Sequence, residues 1–181
     1  MLQNMQQVAD NVYKAVRCNI FTALIYLKGS NFIMAEYSYP LVQTVAEDEN
    51  IIFLDGDRCC KKGYITHRSG AGLFRLKGAT NGCKAVYRVT FNANIAVAEG
   101  GVVGPISVAL QEDGETLTNA VAVVTPAAVG VPDTLANFFN VSLTTFIVIP
   151  CGCCVTVSVE NTSDGTAIDV ANANIIFDRV A

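Results

Sequence analysis

The spacing of hydrophobic and polar positions changes once along the chain. From Met1 to Lys28, the apolar residues Met5, Val8, Val12, Ala15 and Val16 recur at three- and four-residue steps between polar ones. This is the helical period, and Lys28-Gly29-Ser30 supplies a C-terminal stop. Beyond Leu41, short β-rich runs separated by Gly, Pro, Asn and Asp replace it: Leu41 to Val45, Ile51 to Leu54, Tyr64 to Thr66, Gly72 to Leu76, Ala85 to Val97, Val103 to Gln111, Thr116 to Val124, Phe138 to Ile149, Val155 to Glu160 and Ile168 to Arg179. The division predicts an N-terminal arm over 1–33, helical or extended, and a β domain over 34–181. Met34 stands where a second translation start would fall, so the first 33 residues read as an extension of the domain.

The runs predict an all-β sandwich of two antiparallel sheets, a jelly roll. The fifth alternates: Ala85, Tyr87, Val89, Phe91, Ala93 and Ile95 share one face, and Arg88, Thr90, Asn92 and Asn94 the other. Two hairpins are predicted from turn chemistry, one at Glu112-Asp113-Gly114-Glu115 and one at Ile149-Pro150-Cys151-Gly152. Phe146-Ile-Val-Ile and Ile175-Ile176-Phe177 are apolar on both faces, so both faces need cover. In a sandwich the opposite sheet provides one cover, and a neighbouring subunit would provide the other.

Composition sharpens this expectation. Of 181 residues 51% are hydrophobic and only 15% charged, against a usual charged share of about 25%. Disorder is excluded, and so sparse a charge set points to surface hidden against other copies. The net charge of -4 is unevenly spread: Met1–Gly78 holds 9 Lys and Arg against 7 Asp and Glu, and Ala79–Ala181 holds 3 against 9. Phosphate binding needs clustered Lys and Arg, so nucleic acid is not an expected partner. The apolar run Ile20 to Leu27 is far shorter than the roughly 18 residues of a membrane span. It is preceded by Asp10 and not followed by a small-x-small cleavage site, so a membrane is not expected and the chain is expected to be made in the cytosol. Its seven cysteines then read as thiols.

Candidate chemistry is sparse. Cys59-Cys60, Cys83 and Cys151-Gly-Cys153-Cys154 raise a metal reading, but ligands adjacent or one apart on a strand point to opposite faces. They read as buried or turn thiols, with zinc or a cross-strand or inter-chain disulfide as the alternatives. His67 lies outside any nucleophile or HExxH signature and reads as a turn or strand-end residue. Ser69-Gly-Ala-Gly72 lacks the Lys-Ser/Thr ending of a phosphate loop. Asn161-Thr162-Ser163 matches the glycosylation triplet. No enzyme and no cofactor is expected.

Tyr87-Arg-Val-Thr-Phe-Asn-Ala-Asn-Ile95, Gly104-Pro-Ile-Ser-Val-Ala-Leu110, Val141 to Ile149 turning through Cys151-Gly152 into Val155 to Asn161, and a last strand Ala173 to Arg179 together resemble the jelly roll of the tumour-necrosis-factor and complement globular-head superfamily, over residues 85–181. The resemblance implies a homotrimer packed through one sheet of each subunit. Tyr87, Val89, Phe91, Phe146, Val148 and Ile176 are the core and threefold-contact candidates. The collagen-like stalk of many such proteins is absent, and an arm stands in its place. That arrangement resembles trimeric virion proteins of tailed bacteriophages. The function it implies is capsid decoration on the virion surface, with the major capsid protein or another virion protein as partner. Attachment would use Val8, Val12, Val16, Arg17 and Lys28, with Arg58, Lys61 and Lys62 as further pairing charges. The alternative is a receptor- or carbohydrate-binding head, against which the lack of Trp weighs.

Overall fold

Eleven strands, all joined by antiparallel pairing, stack as two sheets in a computed structural model that describes residues 33–58, 63–79 and 84–181. The predicted arm, with Val8, Val12, Val16, Arg17 and Lys28, lies outside the described residues, as do Lys61, Lys62, Cys18, Cys59, Cys60 and Cys83. Among the described residues no helix is long and apolar enough to cross a membrane.

The strands are β1 (Ile33–Tyr39), β2 (Gln43–Val45), β3 (Leu54–Arg58), β4 (Ile65–His67), β5 (Phe74–Lys77), β6 (Lys84–Val97), β7 (Ile106–Glu112), β8 (Glu115–Val124), β9 (Phe139–Pro150), β10 (Cys154–Asn161) and β11 (Ile168–Arg179). The first sheet runs β3-β1-β11-β6-β9, with β2 also on β11, and the second runs β4-β5-β10-β7-β8. β1 and β2 together line β11, interrupted at Pro40, which has no N–H to give to a ladder. β1 extends the strand set beyond the expected start at Leu41. Its first residue, Ile33, is buried and pairs with Arg179, so the β domain includes the last residue assigned to the arm.

The two predicted turns differ in what they join. Glu112 and Glu115 are paired residues of the β7–β8 hairpin, and Asp113 (φ 52°) and Gly114 (φ 85°) make its two-residue turn, the left-handed pair that matches strand twist. The Pro150–Gly152 turn also forms, with Cys153 N–H donating to the Pro150 carbonyl at 3.2 Å, but it is not a hairpin. β9 pairs with β6 in the first sheet, and β10 with β5 and β7 in the second. The turn is a corner that carries the chain between sheets, because Pro and Gly set a local reversal and not the partner of the strand that follows.

Alternation fills the interior. Ala85, Tyr87, Val89, Phe91, Ala93 and Ile95 of β6 face inward and are buried, as the pattern predicted, opposite Phe74, Leu76, Val157 and Val159 of the second sheet. Phe74 is the hub of the aromatic core, with ring centroids 5.0 Å from Tyr37, 5.3 Å from Phe53, 4.8 Å from Phe177 and 4.3 Å from His67. Each such side chain contributes about 1.5–3 kcal/mol by burial. The Tyr87 hydroxyl donates to the Lys77 carbonyl at 2.7 Å and so ties β6 to the end of β5. In β11, Asn172 (φ 52°) is the extra residue of a bulge opposite β6. Inward positions shift phase there, from Ile168 and Val170 to Ala173, Ile175 and Phe177. Asn161 is fully buried: its amide donates to the Val45 and Thr166 carbonyls at 3.1 and 3.0 Å and its Oδ1 accepts from Ser163 N–H, so the glycosylation triplet serves to hold a connection.

Candidate functional site

β9 closes one end of the first sheet and β8 one end of the second, so, among the described residues, two long strands with open outer edges lie side by side. Asn119 Nδ2 of β8 donates to Thr145 Oγ1 of β9 at 3.4 Å across this margin. β9 alternates without a break: Val141, Leu143, Thr145, Ile147 and Ile149 are buried, and Asn140, Ser142, Thr144, Phe146 and Val148 are exposed. Phe146 is 60% and Val148 50% exposed, and on β8 Val121 is 39% and Val123 61% exposed. Neither strand carries a Lys or Arg, the residues that most often protect an edge.

The register orders the outer face of the first sheet into rows. Phe146 stands opposite Arg88, which stands opposite Asp178, and Asp178 opposite Met34. Arg88 Nη2 donates to Asp178 Oδ2, while Asp178 Oδ1 is buried without a partner. The next row places Thr144, Thr90, Ile176 and Glu36 in line, with the Thr144 and Thr90 hydroxyls 3.2 Å apart. A third holds Ser142, Asn92, Asn174 and Ser38, and Asn174 Nδ2 reaches Glu36 Oε1 at 2.8 Å. Asn140 Nδ2 donates to Asn94 Oδ1 at 3.2 Å in the row beyond. The face is thus uncharged in net terms where Arg88 and Asp178 meet, hydroxyl- and amide-rich at one end, and apolar at the other through Phe146, Val148 and the half-buried Val86.

The six predicted core and contact residues divide. Tyr87, Val89 and Phe91 are fully buried between the sheets and are out of reach of another molecule. Phe146, Val148 and Ile176 lie on the outer face of the first sheet, the first two exposed and the third half-buried. Val121 and Val123 complete the margin and were not singled out from the sequence. Their signal is the one that marked Phe146: Val121-Ala-Val-Val is apolar in both phases of a strand.

The other conspicuous residues are structural or isolated. His67 stacks on Phe74, with Nδ1 3.2 Å from the Leu73 carbonyl and Nε2 3.1 Å from the Phe53 carbonyl, so its neighbours are main-chain oxygens and rings. Of the two readings of the thiols, buried or in a turn, Cys151, Cys153 and Cys154 take the second, exposed at the sheet-crossing corner. Among the described residues, no three His, Cys, Asp or Glu side chains gather as a metal-binding set.

No known family model matches the sequence, and no curated protein matches it significantly. Solved structures do match. The Eiger TNF of S. frugiperda superposes with a TM-score of 0.58 at 14% identity, over 83% of this chain and 93% of that one. The globular domain of the zebrafish complement 1qA protein gives 0.42 at 10% identity (81% and 94%), and murine APRIL 0.48 at 7% (81% and 99%). The Eiger superposition, with the two antiparallel sheets, gives the chain the TNF-like jelly-roll fold that the sequence resemblance implied.

Proposed function

We propose that this protein is the homotrimeric, non-catalytic head of a tailed-phage virion protein, decorating the capsid and held there by its N-terminal region. The observation that carries the self-assembly is the β8–β9 margin: two long adjacent edges bearing Phe146, Val148, Val121 and Val123 in the open. An exposed, apolar edge of this length is an association surface, since water pays nothing back for leaving it bare and main-chain groups stand ready to pair. The jelly-roll fold and the pairing of Arg88 with Asp178 on the outer face of the first sheet favour a second copy as the cover, packed edge to face around a threefold axis. The low charge content and the helix-period sequence ahead of β1 support mounting on a larger assembly.

Light scattering after gel filtration tests the assembly: the full chain is expected at about 58 kDa, three times its 19.3 kDa. A mass of one chain overturns it. Antibodies against the β domain are expected to label the outside of capsids that carry the protein. Label confined to tail fibres, together with hits on a glycan array, would replace decoration by the receptor-binding alternative.

A further inference from the structure

We propose that residues 131–137, in the connection between β8 and β9, form a preshaped contact of the self-assembly, in which Leu135 seats on a second copy of this chain. The inference rests on the self-assembly reading and adds to it one residue that sets how tightly the copies hold.

The segment is shaped by its own hydrogen bonds. Val131 and Ala136 form an antiparallel bridge, with Val131 N–H donating to the Ala136 carbonyl at 3.0 Å. Thr134 N–H donates to the Val131 carbonyl at 3.2 Å, and Asn137 Nδ2 to the Val129 carbonyl at 2.9 Å. At the root, Val129 packs on the core, and Gly130 N–H donates to the Val97 carbonyl at 2.9 Å. A Cβ on Gly130 would stand 2.5 Å from the Ala96 Cβ. Ala96 lies between the inward Ile95 and Val97, in an outward row with Asp169 and Thr44. The root of the segment therefore lies against the outer face of the first sheet, the face that the proposed second copy covers.

Leu135 makes the segment more than a connection. Its φ of 54° is in the left-handed region, where a Cβ crowds the following carbonyl and where glycine would stand without strain. Burial of the side chain would compensate that strain, yet every residue of 131–137 is exposed and Leu135 lies outside the hydrophobic core. The strain has no compensation within the chain, which points to a contact made outside it. Val131 is 43%, Leu135 38% and Phe139 40% exposed, and Asp133 is the only charge in 125–138. An apolar, charge-poor and preorganised surface suits the centre of an interface between proteins. Phe139 opens β9, the strand that carries Phe146 and Val148, so the segment continues the open margin and takes the same occupant.

The test is the concentration at which the full chain dissociates, followed by light scattering over a dilution series. Leu135→Gly removes the side chain and relieves the backbone together. It is expected to raise the dissociation concentration about tenfold, while the urea midpoint of the dissociated chain stays level or rises. Leu135→Met, which keeps an apolar side chain, is expected to hold association close to that of the unchanged chain. A midpoint lowered by Leu135→Gly in the dissociated chain would make Leu135 a structural residue and overturn the proposal. Dissociation unmoved by Leu135→Gly would overturn it as well and leave the self-assembly reading standing. An unchanged chain with the mass of one copy at every concentration would overturn that reading, and this inference with it.

Discussion

The two sides of the sandwich are finished in opposite ways. On one side the second sheet ends at β4, only three residues long and followed by Arg68, and the first at β3, whose sequence Leu-Asp-Gly-Asp-Arg is mostly charged. Short and charged edges resist pairing with other chains. On the other side β8 and β9 run for 10 and 12 residues without a Lys or Arg, with Val121, Val123, Phe146 and Val148 exposed. The closed side is held from within by the aromatic cluster around Phe74, and the open side offers its apolar surface outward. Identical strand chemistry thus serves stability on one side and, in the proposed trimer, would serve association on the other, according to which face of the ladder each residue occupies.

Substitutions that separate these roles would break or sharpen the contrast. The largest effect is expected at the closed side: Phe74→Ala removes the ring shared by Tyr37, Phe53, His67 and Phe177, at a cost of about 3–5 kcal/mol in urea unfolding. Next comes the open side. Phe146→Asp is expected to reduce the solution mass to that of one 19.3 kDa chain while far-ultraviolet circular dichroism stays unchanged. A Phe146→Asp chain that kept its oligomeric mass would remove the association role from this edge.

A smaller effect is expected at the turns. Gly114 (φ 85°) and Gly152 (φ 75°) have open space where a Cβ would stand, so alanine at either strains only the backbone, by about 1–2 kcal/mol. Chemical denaturation of each variant measures this. Equal losses would show that the hairpin and the sheet-crossing corner depend alike on a left-handed residue.

The smallest effect is electrostatic. Desolvation first, and Asp113 second, hold the Glu112 carboxyl above its ordinary value of 4.5. The folded state therefore keeps a proton that the unfolded state has already released, and stability falls as pH rises from about 4.5 through the raised value. Glu112→Gln removes this slope. The variant is expected to gain under about 0.5 kcal/mol above the window and to lose that advantage below it, as read from denaturation midpoints across pH.

Much of the fold was legible because alternation is a local record of burial. The inward set of β6, the Asp113–Gly114 hairpin and the two-faced apolar run at Phe146 all follow from side-chain period and turn chemistry, and the structure agrees with each. β1 carries the same signal, with Ala35 and Tyr37 buried between more exposed neighbours, but over only seven residues that follow directly on the helix-period segment. β3 carries almost no signal, since a charged edge strand looks like a loop. The candidate margin is half visible in the sequence: of the core and threefold-contact set, Tyr87, Val89 and Phe91 are the core members, enclosed between the sheets, and Phe146 and Val148 lie exposed on the margin.

The amino-acid order by itself determined that this chain is β-rich, where most strands run, and which side chains each strand turns to one face. Those properties depend on the two-residue period of the extended backbone and on the few residues that reverse it. Only the tertiary structure decided that β9 and β10, neighbours in sequence, belong to different sheets. It also decided that Asn172 shifts the phase of β11 and that β8 and β9 share one open margin. Pairing is settled by the burial and hydrogen bonding of the whole sandwich at once, and a strand's own pattern says that a face is covered without saying by what.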